Sequence, residues 1–482
     1  MTAAKAGAAP ARAAGADAFD ATGLHRILAV VITGSVMSVL DMTIVNVAMR
    51  SLSESFGAPL ETIQRTATAY TLALAAVIPT AAWAMDRIGA RRTYLTALVL
   101  FTFGSLLAAC AWNAGSLIAF RAVQGLGGGL LMPVGMAMVM RVADRGRLGR
   151  AMALLGLPVL VGPVAGPVLG GRLIDIASWH WIFLINLPVG ALALALAAKL
   201  LPADASRRAM APALDVPGLL MLAPGLALLL FGLARGGERG EFGAPGTLVP
   251  ALAGVLLIAV FVRRALTARG PLLDLRLLRD RTFAAGIVTL ALFTCGYFGS
   301  MLLGPLYWQQ QRGATATAAG LLGAPVGLAV GTTMQVASRL VDRVSPRGLI
   351  GAGAAVGALG MALAALQVGE DGVAPWRVVG AATVMGVGVG MVLMPTMTTA
   401  TRDLPKDRVA SASTALSINA QLWASVGTAL LTVVLGATGP EPGPAGFRVA
   451  YAVAAGLLAL ALLPASLLPA RRPGRDAVTA GR

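Results

Sequence analysis

ILAVVITGSVMSVLDMTIVNVAM, residues 27–49, is an apolar run interrupted by one charge, Asp41. A helix of this length, at about 1.5 Å per residue, crosses the ~30 Å hydrocarbon core of a bilayer and is too long for the core of a cleavable signal. His25 and Arg26 precede it directly, and the alanine-rich residues 1–26 are expected to form an unstructured tail. The rest of the chain repeats the pattern: of 482 residues 57% are hydrophobic and only 12% charged, with a mean hydropathy of +0.79. Such a composition excludes a soluble globule and predicts an all-α polytopic membrane protein.

Apolar stretches bounded by Arg, Asp, Gly or Pro clusters predict fourteen spans. The first six run approximately 27–49, 66–84, 94–112, 116–139, 148–174 and 181–201. Two follow at 216–233 and 247–266, then six at 283–308, 316–337, 349–367, 378–399, 411–435 and 449–468. The expected organisation is therefore a tail (1–26), a six-helix bundle (27–201), two additional helices with a linker (202–282), a second six-helix bundle (283–470) and a short tail (471–482). Placing the N-terminus in the cytoplasm leaves the external loops with balanced charge and puts the entire net +17 on the cytoplasmic side. That distribution argues against nucleic acid, for which the charge would gather on one folded face. Two cysteines, Cys110 and Cys295, both in apolar stretches, make no disulfide framework or thiolate metal site.

Only two ionisable side chains lie well inside expected spans, Asp41 in the first and Arg121 in the fourth. Counting from the outer helix ends puts them about 12 Å and about 8 Å deep, so they can meet in the outer half. Burial and a neighbouring cation act in opposite senses on a carboxylate, so a movement that changes their separation changes proton affinity. A static structural ion pair is the alternative reading. Gln124, one turn from Arg121, and Asn46, five residues past Asp41, are placed to hydrogen-bond the pair or a substrate, or simply to join helices.

The run Leu40 to Ala48, LDMTIVNVA, resembles the helix 1 motif of drug/proton antiporters of the major facilitator superfamily. Asp86-Arg87-Ile88-Gly89-Ala90-Arg91-Arg92 resembles that superfamily's cytoplasmic loop motif, with Ala82 where the motif usually begins with Gly. Arg121-Ala122-Val123-Gln124-Gly125 resembles its helix 4 proton-transfer motif. Residues 179–188, WHWIFLINLP, are similar to a segment of the fourteen-helix subfamily, with His180 in place of a usual Arg. Residues 162–171, GPVAGPVLGG, resemble the helix 5 motif that marks exporters. Read physically, Gly162, Gly166 and Gly170 form one smooth face where another helix can approach, Gly171 extends the run, and Pro163 and Pro167 remove amide donors and permit a bend. The family places this helix between the two bundles. In the loop motif, Asp86 is expected to accept from helix N-terminal amides or pair with an Arg, and Arg87, Arg91 and Arg92 to reach carboxylates or lipid phosphates. A weaker copy containing Asp342 and Arg343 follows the tenth span, as expected of repeated bundles.

The resemblance implies a proton-coupled exporter of amphiphilic, often cationic, small molecules. It would be a monomer in a bacterial inner membrane with both termini cytoplasmic, contacting lipids, driven by the proton gradient and needing no cofactor or metal. Candidate cargo contacts, besides Asp41 and Asn46, are Tyr70, Tyr297, Met301, Tyr307, Gln310, Asn419 and Trp423, each of which is also ordinary membrane-helix content. A dedicated exporter of an endogenous metabolite or lipid would share every motif, whereas the exporter motif opposes a proton-coupled importer. No nucleophile–base pair, metal cluster or phosphate loop suggests an enzyme.

Overall fold

The computed structural model describes residues 11–470 apart from 145–146, 205–213, 241–242, 269–270, 315, 342, 369–371, 406 and 438–442. Regular structure among the described residues is entirely helical. The first block holds α1 (Ala11–Phe56), α2 (Leu60–Val77), α3 (Ala90–Ala109), α4 (Ala114–Val142), α5 (Leu157–Ile176) and α6 (Asn186–Leu200). A hairpin follows, α7 (Val216–Arg239) and α8 (Pro245–Thr267). The second block holds α9 (Arg281–Leu306), α10 (Ala316–Leu340), α11 (Pro346–Val368), α12 (Pro375–Thr401), α13 (Val409–Gly436) and α14 (Pro444–Leu460). Among the described residues thirteen helices are long and apolar enough to cross a membrane. The 20-residue α5 covers the same ~30 Å and completes the fourteen expected spans.

Three expected spans differ in detail, each for a local reason. Helix α1 starts at Ala11 rather than Ile27, so part of the expected unstructured tail is helical; residues 11–22 are rich in alanine, the strongest helix former. The fifth span is divided: a short helix, Leu148–Leu155, ends at Gly156 before α5 begins. Pro158, at the start of α5, has no amide with which to continue the preceding ladder. The sixth span divides the same way, with one turn at Trp181–Leu184, a break at Ile185 and then α6.

The two blocks join at one end of the bundle, the end at which the first span begins. One buried apolar cluster there combines first-block residues such as Leu28, Met85, Val139 and Met152 with second-block residues such as Phe283, Met334, Ala400 and Val409. At the opposite end the cores are separate: Val45, Leu52, Leu117 and Phe183 belong to the first block, Leu303, Tyr307, Val368 and Phe447 to the second. The seam is tightened at the Gly156 break. A Cβ on Gly156 would collide with Met334 of α10, and Gln335 Nε2 donates to the Ala153 carbonyl at 2.6 Å.

Helix α7 lies over the other seam, packing Leu222, Leu226 and Leu230 against Ala75 of α2 and Ile418 and Leu422 of α13. Helix α8 backs α7 and turns Val249, Leu252 and Leu256 outward. The hairpin is clasped at its base by Asp215, whose Oδ1 accepts from the Gly218 amide at 3.0 Å and from Arg264 Nε and Nη2 at 3.0 and 2.8 Å. Its Oδ2 accepts from the Leu272 amide at 3.2 Å, which ties the hairpin to the linker before α9.

Burial pushes the Asp215 carboxyl up, but hydrogen bonds from Arg264, Gly218 and Leu272, with the Arg264 charge, outweigh it and hold the group below the ordinary carboxylate range. A lowered native pKa gives stability that is complete above the unfolded value of about 3.9 and disappears as pH falls through the native one. Asp215→Ala is therefore expected to lower thermal stability at pH 7 by about 1–3 kcal/mol. In detergent unfolding scans, the gap between wild type and variant closes only on acidification below about pH 4.

Candidate functional site

Asp41, Arg121 and Gln124 come together inside the first block, with at most 1% of any of them exposed. Asp41 projects from the middle of α1. Arg121 and Gln124, three residues apart on α4, share a face and both reach it. Arg121 Nη1 donates to Asp41 Oδ2 at 2.6 Å and to Gln124 Oε1 at 2.6 Å. Gln124 Nε2 returns to Asp41 Oδ1 at 2.8 Å. The three side chains form a closed ring in which every hydrogen bond to the carboxyl is donated to it, the pattern of an ionised carboxylate.

Two further polar residues complete the shell, and counting charges could not find them. Asn186, the first residue of α6, donates through Nδ2 to Asp41 Oδ1 at 2.9 Å and to Ser105 Oγ of α3 at 3.0 Å. Ser105 in turn donates to the Phe183 carbonyl at 2.9 Å. Asn186 stands at the head of α6, directly after Ile185, and is buried. The signal in the sequence was a neutral amide at the head of an apolar run, which a search for charges passes over. Tyr70 of α2 lies under Arg121, with the guanidinium carbon 4.2 Å from its ring centroid, and its hydroxyl meets Ser38 of α1 at 3.2 Å. Arg121 Nε has no hydrogen-bond acceptor, so the ring face supplies the remaining contact of the cation.

Of the candidate cargo contacts whose side chains are described, Tyr70 joins Asp41 in this cluster and the others do not. Tyr297, Met301 and Tyr307 sit on α9 and its extension, Tyr307 buried against Phe447 and Arg312, Met301 exposed. Gln310 is exposed on a π-helical stretch, Tyr307–Gln311, that ends α9. Asn419 and Trp423 lie one turn apart on α13, where Asn419 donates to the Ile287 carbonyl at 3.4 Å. The side chains of Asn46, Pro163 and Pro167, and all of Asp342, lie outside the described residues, and Arg343 is exposed.

The glycine face of α5 is occupied by α1 of the same block. Added Cβ atoms at Gly162, Gly166 and Gly170 would meet Val39, Thr43 and Ile44, and Thr43 Oγ1 donates to the Gly162 carbonyl at 3.1 Å. Gly171 faces open space. The loop motif divides its expected tasks between two acids. Asp86 pairs with Arg141 at the end of α4 at 3.3 Å. The amides that open α3, those of Arg91 and Arg92, donate to Asp204 at 3.0 and 3.1 Å. Gly89, with φ 97°, leaves the space that Asp204 fills. Arg91 Nη2 donates to the Ala198 carbonyl at 2.5 Å, and Arg87 is exposed.

The family model described as Major Facilitator Superfamily matches residues 31–428. The multidrug resistance protein B homolog of Mycobacterium tuberculosis is 42% identical over 415 residues, 86% of this chain and 76% of that protein. The putative multidrug resistance protein MdtD of Escherichia coli is 34% identical over 418 residues, 86% of each chain. In solved structures, the proton:xylose symporter XylE superposes with a TM-score of 0.63 at 16% identity, covering 92% of this chain and 95% of that one. At that identity the likeness concerns the fold alone.

Asp204→Ala removes the acceptor for two α3 amides and is expected to destabilise by about 1 kcal/mol, the usual loss for a helix cap. Gly89→Val combines a left-handed backbone with a collision and is expected to destabilise more. Thermal unfolding of both variants in detergent, ranked against wild type, checks the order.

Proposed function

Because this chain belongs to the Major Facilitator Superfamily, we propose that it is a proton-coupled multidrug exporter of a bacterial inner membrane, working by alternating access. It is a multi-pass membrane transporter and not an enzyme. The observation that carries the finer reading is the fully buried carboxylate of Asp41, saturated with donors and paired to a single arginine. An ion this deep is expensive to keep and marks a proton or substrate path more often than a strut. The relatives named as multidrug resistance proteins support the choice of cargo.

The charge asymmetry supports cytoplasmic termini. With that orientation, the end at which the blocks join is the cytoplasmic one, and the structure corresponds to an outward-facing state. A proton arriving from outside neutralises Asp41 and weakens its hold on Arg121. The blocks then rock about the site, and the proton leaves to the cytoplasm before cargo is carried outward. Binding must be weaker in one orientation than in the other for net export, and the Asp41–Arg121 separation is the variable that changes it. The spans of the second block contain no Asp or Glu, so Asp41 is the single intramembrane acid open to both proton and cargo. That favours neutral, zwitterionic or monovalent cationic amphiphiles.

The test is transport of a fluorescent lipophilic cation by proteoliposomes under an imposed pH gradient, wild type against Asp41→Asn. Wild type is expected to move dye only with the gradient, and the variant to lose that gradient-driven component. Equal rates make Asp41 structural. No movement of any dye by wild type makes the dedicated exporter of an endogenous metabolite or lipid the better reading.

A further inference from the structure

Asp41 has three hydrogen-bonding neighbours, and they differ in what they can do when it gains a proton. A neutral carboxylic acid needs an acceptor for its O–H, and a buried acid without one bears the cost of an unsatisfied donor. Arg121 has no acceptor atom at all. Gln124 has one, but its Oε1 is held by Arg121 Nη1 at 2.6 Å, so turning its amide would break the ring. Asn186 is different. Its Nδ2 faces both Asp41 Oδ1 and Ser105 Oγ, so a half-turn of the amide places its carbonyl oxygen where the nitrogen stood.

Ser105 can follow that turn. Its hydroxyl now donates to the Phe183 carbonyl at 2.9 Å, which leaves its oxygen as acceptor and fixes the Asn186 amide with nitrogen toward the carboxylate. A hydroxyl rotates freely; swung toward Asn186, it would donate to the turned amide's oxygen, which would accept from Asp41 as well. That swing takes the Ser105 donor from the Phe183 carbonyl, since the Ile185 amide is bonded to the Trp181 carbonyl at 3.0 Å, so the turned arrangement exchanges one hydrogen bond for another. In both arrangements the Asp41 oxygen that faces Asn186 has a hydrogen-bonding partner. The charged or titratable groups that meet Asp41 among the described residues are Arg121 from α4 and Tyr70 from α2. Helix α3 contributes neutral Ser105, α6 neutral Asn186, and α5 turns its glycines to α1.

We propose that Asn186 is a positioning residue whose side-chain amide reverses with the protonation of Asp41, donating to the carboxylate and accepting from the acid. The proposal rests on the reading of Asp41 as the proton carrier and deepens it: Asn186, through Ser105, makes both protonation states of Asp41 stable inside the membrane. No proton passes to Asn186; the one that enters comes from water and stays on Asp41, and the amide only turns.

The chain contains four asparagines, at positions 46, 113, 186 and 419, which makes the idea accessible to infrared difference spectroscopy of reconstituted protein with and without side-chain-labelled asparagine. Stepping pH in wild type is expected to raise a carboxylic C=O band that is missing in Asp41→Asn. A label-sensitive amide change should titrate together with it and vanish in Asn186→Leu. Should that variant not fold, Asn186→Ser makes the same assignment. The Asp41 band should also move in the variant, because its O–H has lost its acceptor. An Asp41 band that titrates with no asparagine signal, or with one that persists in the Asn186 variant, overturns the proposal and leaves the proton carrier standing. A wild type with no Asp41 band at any pH removes the carrier, and this proposal with it.

Discussion

An ion in the membrane interior must have every valence answered by protein, because no water is there to do it. Asp41 meets that demand with side chains from α4 and α6, and those are supported in turn from α2 and α3. Five of the six helices of the first block are thereby committed to one carboxylate. Removing one partner from such a pair leaves a charge uncompensated at about 3–5 kcal/mol, a large part of the ~5–15 kcal/mol by which proteins are stable. Close packing at the same level is what lets the short side chains reach. A Cβ on Gly104 would collide with the backbone of Gln124, and one on Gly125 with the Tyr70 carbonyl. The glycines beside the polar residues set the helix separations over which Ser105, Gln124 and Tyr70 act.

The second block shares the architecture but not the chemistry. Its helices approach through glycine as well: Gly353, Gly357 and Gly360 of α11 face Gly388 and Met385 of α12. The buried threonines of α12, Thr396, Thr398 and Thr399, return their hydroxyls to carbonyls four residues back on their own helix, so they satisfy themselves without joining a network. Charge is therefore concentrated in one block and apolar packing in the other. Under the proposed mechanism the proton-binding element would lie on one side of the site only, and a response to protonation would begin in α1.

The fold was legible because hydrophobic length is a strong signal: fourteen runs of bilayer length leave little freedom in class or helix count. The Asp41–Arg121 pair was legible for a related reason, since charges within such runs are rare and helix depth is simple arithmetic. What escaped was of three kinds. Asn186 and Ser105 carry no charge and gain their meaning only when packing of α6 and α3 against α1 brings them to Asp41. Asp204 lies in a loop more than a hundred residues from the α3 amides it caps, so the sequence offers only the nearer Asp86 for that task; of the two roles expected of it, Asp86 takes the other, pairing with Arg141. Several aromatic candidates for cargo contact, Tyr307 above all, proved to be packed into the second block's own core, because composition alone does not say which face of a helix an aromatic takes.

Helix α5 shows how the site and the seam between blocks are joined. At its start, the Gly156 break meets Met334 and the neighbouring Ala153 carbonyl meets Gln335, both on α10 of the other block. Further along, Gly162, Gly166 and Gly170 lie against Val39, Thr43 and Ile44 of α1, residues that flank Asp41 within one turn. At each of these glycines the α5 backbone meets an α1 side chain directly, with no α5 side chain interposed. A shift of α10 against α5 is thus passed to the turn of α1 that bears the carboxylate, and a shift in that turn alters the 2.6 Å contact with Arg121. Tightly packed interfaces respond in steps rather than by gradual deformation. In the proposed mechanism that property would couple a proton at Asp41 to the closure of a seam through one helix, with α7 packed over the opposite seam and the glycines of α5 at the link.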